Sequence, residues 1–333
     1  MIRILYSPAE NEYRTDLKLA DVVQVLAQPQ PQGLLWLDFS QEPLDVGETI
    51  LRDIFKFHPL AVDDALTEAH VPRIDDWQEY LYVVLRAFAY IKENEEGEAE
   101  TLVPELDVFI SRHYIVTYHE TPITAVDRVW AACQRDKRLL NNGPDHLLYR
   151  LTDEIINDAI TVVEQIQETL DEIEDIIFAA PSPQMAERIF YLKRNILRLR
   201  RVIAPQREVL NKLARDDYAV IDPRDRIFFR DGYDHLMRLY ELIDNLRDMT
   251  GSVLDTYLSV VNNNMNSVMK TLAVFTALFL PLTFITGFFG MNFFATTIDT
   301  HNWSGWFAFG VALGAMLAVP IVMLVWMRYR RWL

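Results

Sequence analysis

Between Asn266 and Asn292, a series of uncharged residues recurs at steps of three or four. Asn266, Met269, Leu272 with Ala273, Thr276, Leu280, Thr283 and Gly287 follow one another, and Asn292 closes the series. Residues so spaced lie on one side of a helix. Neutral oxygen-bearing groups alternate there with apolar ones. A lone helix cannot hide such a stripe from lipid, and one partner helix hides it poorly. Two uses remain open from the stripe itself. Several copies around an axis could turn it inward to line a watery path, or Thr and Gly could serve close helix packing. Pro281 leaves the carbonyl of Ala277 without its helical partner, a defect that water or a neighbouring helix can satisfy.

The elements that position this stripe are two long apolar runs. Thr271 to Ile298 contains no charged residue, and neither does Asn302 to Met327. Each exceeds the roughly 20 residues that cross a bilayer core. Upstream of Lys270 the chain is rich in charge, as an aqueous body would be. Met1 to Tyr6 holds one Arg and no adequate apolar stretch, so no leader is expected and the N-terminus is expected in the cytoplasm. The tail carries Arg328, Arg330 and Arg331, Lys270 precedes the first run, and Asn292 to Gly305 has no Lys or Arg. That asymmetry places the short loop outside and both termini in the cytoplasm of a plasma-membrane protein with two spans.

Composition excludes some classes. The single cysteine, Cys133, rules out a disulfide framework and a multi-cysteine zinc site, and it reads as a buried packing residue. A formal charge of −16 over 333 residues argues against nucleic acid as a partner and is compatible with divalent cations. There is no nucleophile elbow, no HExxH and no nucleotide-binding glycine loop, so an enzyme ranks last.

The aqueous body begins with mixed signals. Residues 34–39, 80–91, 106–110 and 114–119 are rich in Val, Ile, Tyr and Phe and predict strands, the last two joined as a hairpin across Ser111–His113. Residues 92–100 predict a polar connection. Helices are predicted around Gly47–Phe55 and Thr124–Leu139, and "NNGP" (141–144) breaks the chain. An acidic helix, His146 to Phe178, then precedes a basic one reaching about Arg215, an antiparallel hairpin with Pro205 as a point of bending. Asp222 and Pro223 predict the start of a helix that meets no strong break before Pro281. Run to Asn292, it would be roughly 100 Å long.

At Gly290, Met291 and Asn292 these observations reach a resemblance. "NSVMKTLAVFTALFLPLTFITGFFGMNF", a short loop, a second span and a basic end resemble the CorA family of divalent-cation channels. "HPLAVDDAL" (58–66) and "ELDVFISRHYIVTYHE" (105–120) are similar to it as well. The resemblance implies a funnel-shaped homopentamer. Its α+β cytoplasmic domain, an αβα sandwich, would occupy residues 1–145 and a helical stalk residues 146–270. A membrane domain would occupy 271–333, with a pore-lining span at about 271–291, an outside loop at 292–305 and an outer span at about 306–327.

The resemblance also assigns roles. Gly290, Met291 and Asn292 would form the selective pore entrance. Asp255, Asn266, Met269, Leu272, Thr276, Leu280 and Thr283 would line the pore, with Met269 and Leu272 as its apolar constriction. Mg²⁺ dehydrates reluctantly and prefers oxygen ligands, so the Asn292 carbonyl would accept hydrogen bonds from its coordinated water. An inside-negative potential contributes about 4.6 kcal/mol per 100 mV for two charges, so uptake needs no nucleotide. Mg²⁺ would be the cargo, with Co²⁺ and Ni²⁺ also carried, and intracellular Mg²⁺ a regulatory ligand at Asp63, Asp64, Asp231, His235 and Asp153; no other cofactor is implied. One departure stands out. The family's loop after GMNF carries an acidic "MPEL", whereas this chain reads "FATTIDTHNW", with Asp299 and His301 as its ionisable residues. A His there could favour zinc or another transition metal, as in zinc-transporting relatives that use proton coupling. A membrane-tethered cation sensor that conducts nothing is the third reading.

Overall fold

The computed structural model describes residues 1–8, 14–15, 17–27, 33–67, 70–91, 100–178, 181–290 and 306–330. It divides into two compact units, Met1–Asp255 and Thr256–Leu333.

The first unit is built on a six-stranded mixed sheet. Its strands are β1 (Ile2–Ser7), β2 (Leu34–Ser40), β3 (Arg73–Asp76), β4 (Leu81–Arg86), β7 (Glu105–Ile110) and β8 (Tyr114–His119), in the order β1-β2-β8-β7-β4-β3. Only the β2–β8 pair is parallel; the rest are antiparallel. The period-two alternation of β2 makes the layers. Leu35, Leu37 and Phe39 face a core shared with α1 (Leu19–Leu26), α3 (Pro59–Thr67) and the buried Ile50, Leu51, Phe55 and Phe57. Trp36 points the other way and meets Trp130 of α4 (Thr124–Arg135) at 4.8 Å between ring centroids. A register slip by one residue would exchange these two faces. On that second face α5 (Pro144–Ile177) packs on β2, β7 and β8, and α6 (Pro183–Arg215) packs on β3 and β4. The result is the expected helix–sheet–helix layering.

Several boundaries differ from the sequence reading. The run 80–91 is two strands. β4 ends at Arg86, whose backbone N–H goes to Gln206 Oε1 of α6 at 2.8 Å, and the chain leaves the sheet. β5 (Ala89–Ile91) then pairs with β6 (Glu100–Leu102) in a separate small sheet. The predicted helix at 47–55 is α2 (Leu44–Thr49) followed by a π-turn over Ile50–Ile54. Pro205 lies inside α6 without ending it.

The last long helix, α7, runs from Arg226 to Gly290, 65 residues. Asp222 does not cap it. Its Oδ1 instead accepts the N–H of Arg224 at 2.8 Å, closing a turn before the helix begins. Within the first unit α7 shows a buried seam at alternating steps of three and four: Phe229, Gly232, Leu236, Leu239, Ile243, Leu246, Thr250 and Val253. Gly232 sits in that seam. A Cβ there would lie 3.0 Å from Leu210 Cδ1 of α6 and 3.3 Å from Ile156 Cδ1 of α5, so glycine permits the three helices to meet. Basic residues of α6 reach α7 here: Arg200 pairs with Asp244 at 3.0 Å, and Arg207 lies over the Tyr240 ring.

The second unit holds the rest of α7 and α8 (Trp306–Tyr329), both long and apolar enough to cross a membrane. Their large apolar side chains, among them Phe275, Phe279, Leu280, Phe284, Leu317 and Val325, are exposed in the single chain. A continuous apolar surface of this extent is not stable against water. Both helices continue through their prolines, Pro281 and Pro320.

Candidate functional site

The stripe on α7 keeps the spacing that the sequence gives it, because the helix is uninterrupted to Gly290. Asn266, Met269, Leu272, Thr276, Leu280 and Thr283 are all exposed in the single chain. The threonines have a defined polarity. Thr276 Oγ1 donates to the carbonyl of Leu272 and Thr283 Oγ1 to that of Phe279, each at 2.9 Å. Their hydroxyl hydrogens are spent inside the helix, so the oxygen lone pairs are what each side chain offers outward. That suits hydrogen-bond donors such as the water of a hydrated cation. Beyond the glycine's own helix backbone and chain neighbours, no described atom lies within 4 Å of a Cβ placed at Gly287, Gly290, Gly310 or Gly314. Asp255 closes the first unit. Met291, Asn292, Asp299 and His301, with the loop at 292–305, fall outside the described residues.

The acidic residues form two separate sets. Asp63 is exposed on α3. Asp64, beside it, is held by the Arg73 guanidinium and stands 3.8 Å from His70 Nε2. The network continues inward: the His70 N–H donates to Glu105 Oε2 at 2.5 Å, and Arg86 pairs with the same carboxylate at 2.6 Å. Asp64 is therefore neutralised within its own chain, a pairing not visible in the sequence. Arg73 lies nine residues away on an edge strand whose charges conceal it.

The second set joins α5 and α7. Asp231 Oδ2 lies 3.5 Å from His235 Nε2, one helical turn on, and the His235 ring meets Arg238 at 3.1 Å. Asp153 of α5 pairs with Arg150 at 3.3 Å. Burial pushes its carboxyl above the usual range, Arg150 opposes this, and the charges of His235 and Asp231 are near enough to act on it. The structure thus brings Asp153, Asp231 and His235 to one region while Asp63 and Asp64 stand elsewhere. Among the described residues no three His, Cys, Asp or Glu side chains converge on a point where one chain could hold a metal ion. A cation at either set would need ligands from another copy or from water.

A buried polar cluster that the sequence reading missed lies in the sheet. Asp38 accepts from Thr117 Oγ1 at 2.6 Å and from Arg3 Nε at 2.9 Å, and His119 Nε2 lies 3.2 Å away. Burial alone would raise the Asp38 carboxyl; His119, Thr117 and Arg3 outweigh it and hold the group below its ordinary value. His119 Nδ1 faces the Thr121 carbonyl at 2.6 Å, so both ring nitrogens are engaged, and the ring is buried. With no access for substrate, the cluster is a structural pin between β1, β2 and β8. Cys133 is buried as expected, and burial pushes its thiol up to about 12.

Comparison with known proteins decides the class. The family model described as "CorA-like Mg2+ transporter protein" matches residues 31–330. The chain belongs to the CorA family. It is a membrane transporter of divalent cations and not an enzyme. This CorA-family chain is 33% identical over 298 residues to the putative metal ion transporter YfjQ of Bacillus subtilis, covering 89% of each chain. It is 30% identical over 324 residues to the cobalt/magnesium transport protein CorA of Thermotoga maritima, covering 97% of this chain and 90% of that one. The zinc transport protein ZntB of Yersinia pseudotuberculosis is 25% identical over 278 residues, covering 83% and 81%. Among solved structures, the CorA magnesium transporter of Methanocaldococcus jannaschii matches with a TM-score of 0.81 at 21% identity, covering 100% of this chain and 99% of that one. That likeness supports the fold.

Proposed function

We propose that this CorA-family chain assembles as a homopentamer whose α7 stripes enclose a pore, and that Mg²⁺ enters the cytoplasm through it down the membrane potential. The observation that carries the reading is the threonine geometry. Thr276 and Thr283, two turns apart, present oxygen acceptors on one side of α7, along a helix face that needs company to leave lipid. Such acceptors can bind the hydration shell of Mg²⁺ without stripping it, which fits the reluctance of this ion to dehydrate. Met269 and Leu272 supply an apolar ring that gates by excluding water. Gly290, Met291 and Asn292 form the outer mouth, where the asparagine amide oxygens accept from the hydrated ion. Co²⁺ and Ni²⁺ share the path. Both termini lie in the cytoplasm and the membrane is the plasma membrane.

Intracellular Mg²⁺ closes the assembly by bridging acidic side chains between copies. Asp63 is the better donor on α3, since Asp64 already has Arg73 as its counter-ion. Asp231, His235 and Asp153 form the other contribution, incomplete in one chain and completed by a neighbour. Zinc is the second reading. It is favoured by Asp299 and His301 in place of the acidic MPEL loop, and by the likeness to the protein named as a zinc transporter.

Reconstitution in liposomes tests both readings. Under an inside-negative potential, Mg²⁺ flux should exceed Zn²⁺ flux and should not respond to a pH gradient, and Asn292→Ala should abolish it while leaving assembly intact. Zinc flux that needs a proton gradient would replace the first reading with the second. Assembly without any flux would leave a sensor.

A further inference from the structure

We propose that the cavity between the end of α3 and the neighbouring ends of β7 and β8 binds a small organic cation, an alkylammonium. The cavity measures about 230 Å³. That is below the roughly 300–1,000 Å³ of drug-sized sites, so its ligand is small. Asp107, Glu120 and Thr121 give it a polar side, and Leu66, Pro104 and Tyr118 an apolar one. Glu120 and Thr121 are exposed, so a ligand enters from water at that rim.

Asp107 is only 2% exposed, yet one of its carboxylate oxygens is left over. Oδ1 accepts from the Tyr82 hydroxyl at 2.6 Å, and Oδ2 has no hydrogen-bond partner among the described residues. A buried polar group without a partner costs free energy until a ligand or water completes it. Arg86 also lines the cavity, but its donors are spent. They go to Glu105 at 2.6 Å, to the His70 carbonyl at 2.7 and 3.0 Å, and to the Val103 carbonyl at 3.1 Å. Arg86 and Glu105 thus cancel. Asp107 and Glu120 remain, with no ion-pair partner among the described residues. Burial first, and the Glu105 charge second, hold the Asp107 carboxyl well above its ordinary value, against the Tyr82 hydrogen bond and the charges of Arg86 and Arg73. An incoming cation supplies the counter-charge that the chain itself does not.

The two-sided lining selects the kind of cation. Among the described residues no three His, Cys, Asp or Glu side chains converge as metal ligands, so a dehydrated metal ion lacks its donors here. A hydrated one would set its water shell against the hydrocarbon of Leu66 and Pro104, which cannot accept a hydrogen bond. An alkylammonium matches both sides: its N–H groups donate to Asp107 and Glu120, and its chain lies on the apolar wall. The site is independent of the proposed Mg²⁺ donors on α3, α5 and α7, none of which lines it.

Saturation-transfer NMR on the full-length protein in zwitterionic lipid nanodiscs tests this. The probe is n-butylammonium, with n-butanol as its uncharged counterpart and empty nanodiscs as background. The wild type should bind butylammonium saturably and n-butanol not. Asp107→Asn keeps the shape, removes the charge and should weaken binding by at least ~10-fold. Glu120→Gln changes an exposed position, so it tests the site even should Asp107→Asn not fold, and it should weaken binding by about 2- to 5-fold. Absence of saturable butylammonium binding, equal binding of n-butanol, or full affinity in either variant overturns the proposal. So does displacement of the probe by Mg²⁺ at equal concentration and matched ionic strength, which would make the cavity a metal site.

Discussion

Replacing Thr276 and Thr283 together by valine tests the pore reading at its chemical root. Valine keeps the shape and the β-branch of threonine and removes only the hydroxyl. On the helix, the change loses the bonds to the Leu272 and Phe279 carbonyls, each 2.9 Å long. Side-chain hydrogen bonds in membrane helices contribute on the order of 0.6 kcal/mol, so folding should survive. Toward the lumen it deletes every acceptor of two rings. A hydrogen bond of this kind is worth about 0.5–1.5 kcal/mol net. A hydrated ion that leans on two acceptors at its barrier would lose ~1–3 kcal/mol, a drop of roughly 5- to 150-fold in flux. Thr271→Val is the control. Thr271 bonds the Ser267 carbonyl at 2.9 Å in the same manner but, five residues before Thr276, stands away from the stripe. Flux should be read in liposomes at a fixed potential with matched amounts of assembled protein. Unchanged flux in the double variant, or an equal loss in Thr271→Val, would refute the reasoning.

Three further outcomes are expected. Asp38→Asn should destabilise the sheet by about 3 kcal/mol, because Arg3 loses a buried partner; chemical denaturation measures this. The depressed Asp38 carboxyl stabilises the fold above its unfolded value of about 3.8, and that contribution is lost as pH falls through the lower folded value, so the variant should lose this acid sensitivity. Gly232→Leu should cost about 1–3 kcal/mol by forcing α7 away from Leu210 and Ile156, seen as a lower midpoint in thermal unfolding. Asp63→Ala should weaken Mg²⁺-dependent protection from proteolysis without changing stability. Asp64→Ala should instead cost up to about 1 kcal/mol by leaving Arg73 with Asp75 as its remaining ion-pair partner.

Much of this fold was legible where one periodicity dominates. The alternation in β2 and the hairpin of β7 and β8 could be read directly, as could the helices α5 to α8. β1 was missed because six residues with one Arg give too short a pattern, and its identity comes from pairing with β2. β3, "RIDD", has the composition of a loop and is a strand only because β4 lies beside it. The continuous run 80–91 concealed a break set by Gln206 of α6, a partner 120 residues distant in sequence. The stripe was visible because a helix turns spacing into a face. The clamp of Arg73 on Asp64, and the bond from the Asp222 N–H to the Asp145 carboxylate, were not visible, because each depends on elements brought together only by the fold.

The most direct test of the account is the accessibility of single cysteines along α7 in the assembled protein, in lipid. The native Cys133 gives no background, being buried with its thiol pushed up to about 12. Cysteines at Met269, Thr276 and Thr283 should react with a charged, water-soluble thiol reagent, whereas those at Phe275 and Phe284 should not. Labelling of the phenylalanine positions with protection of the others would contradict a water path along the stripe.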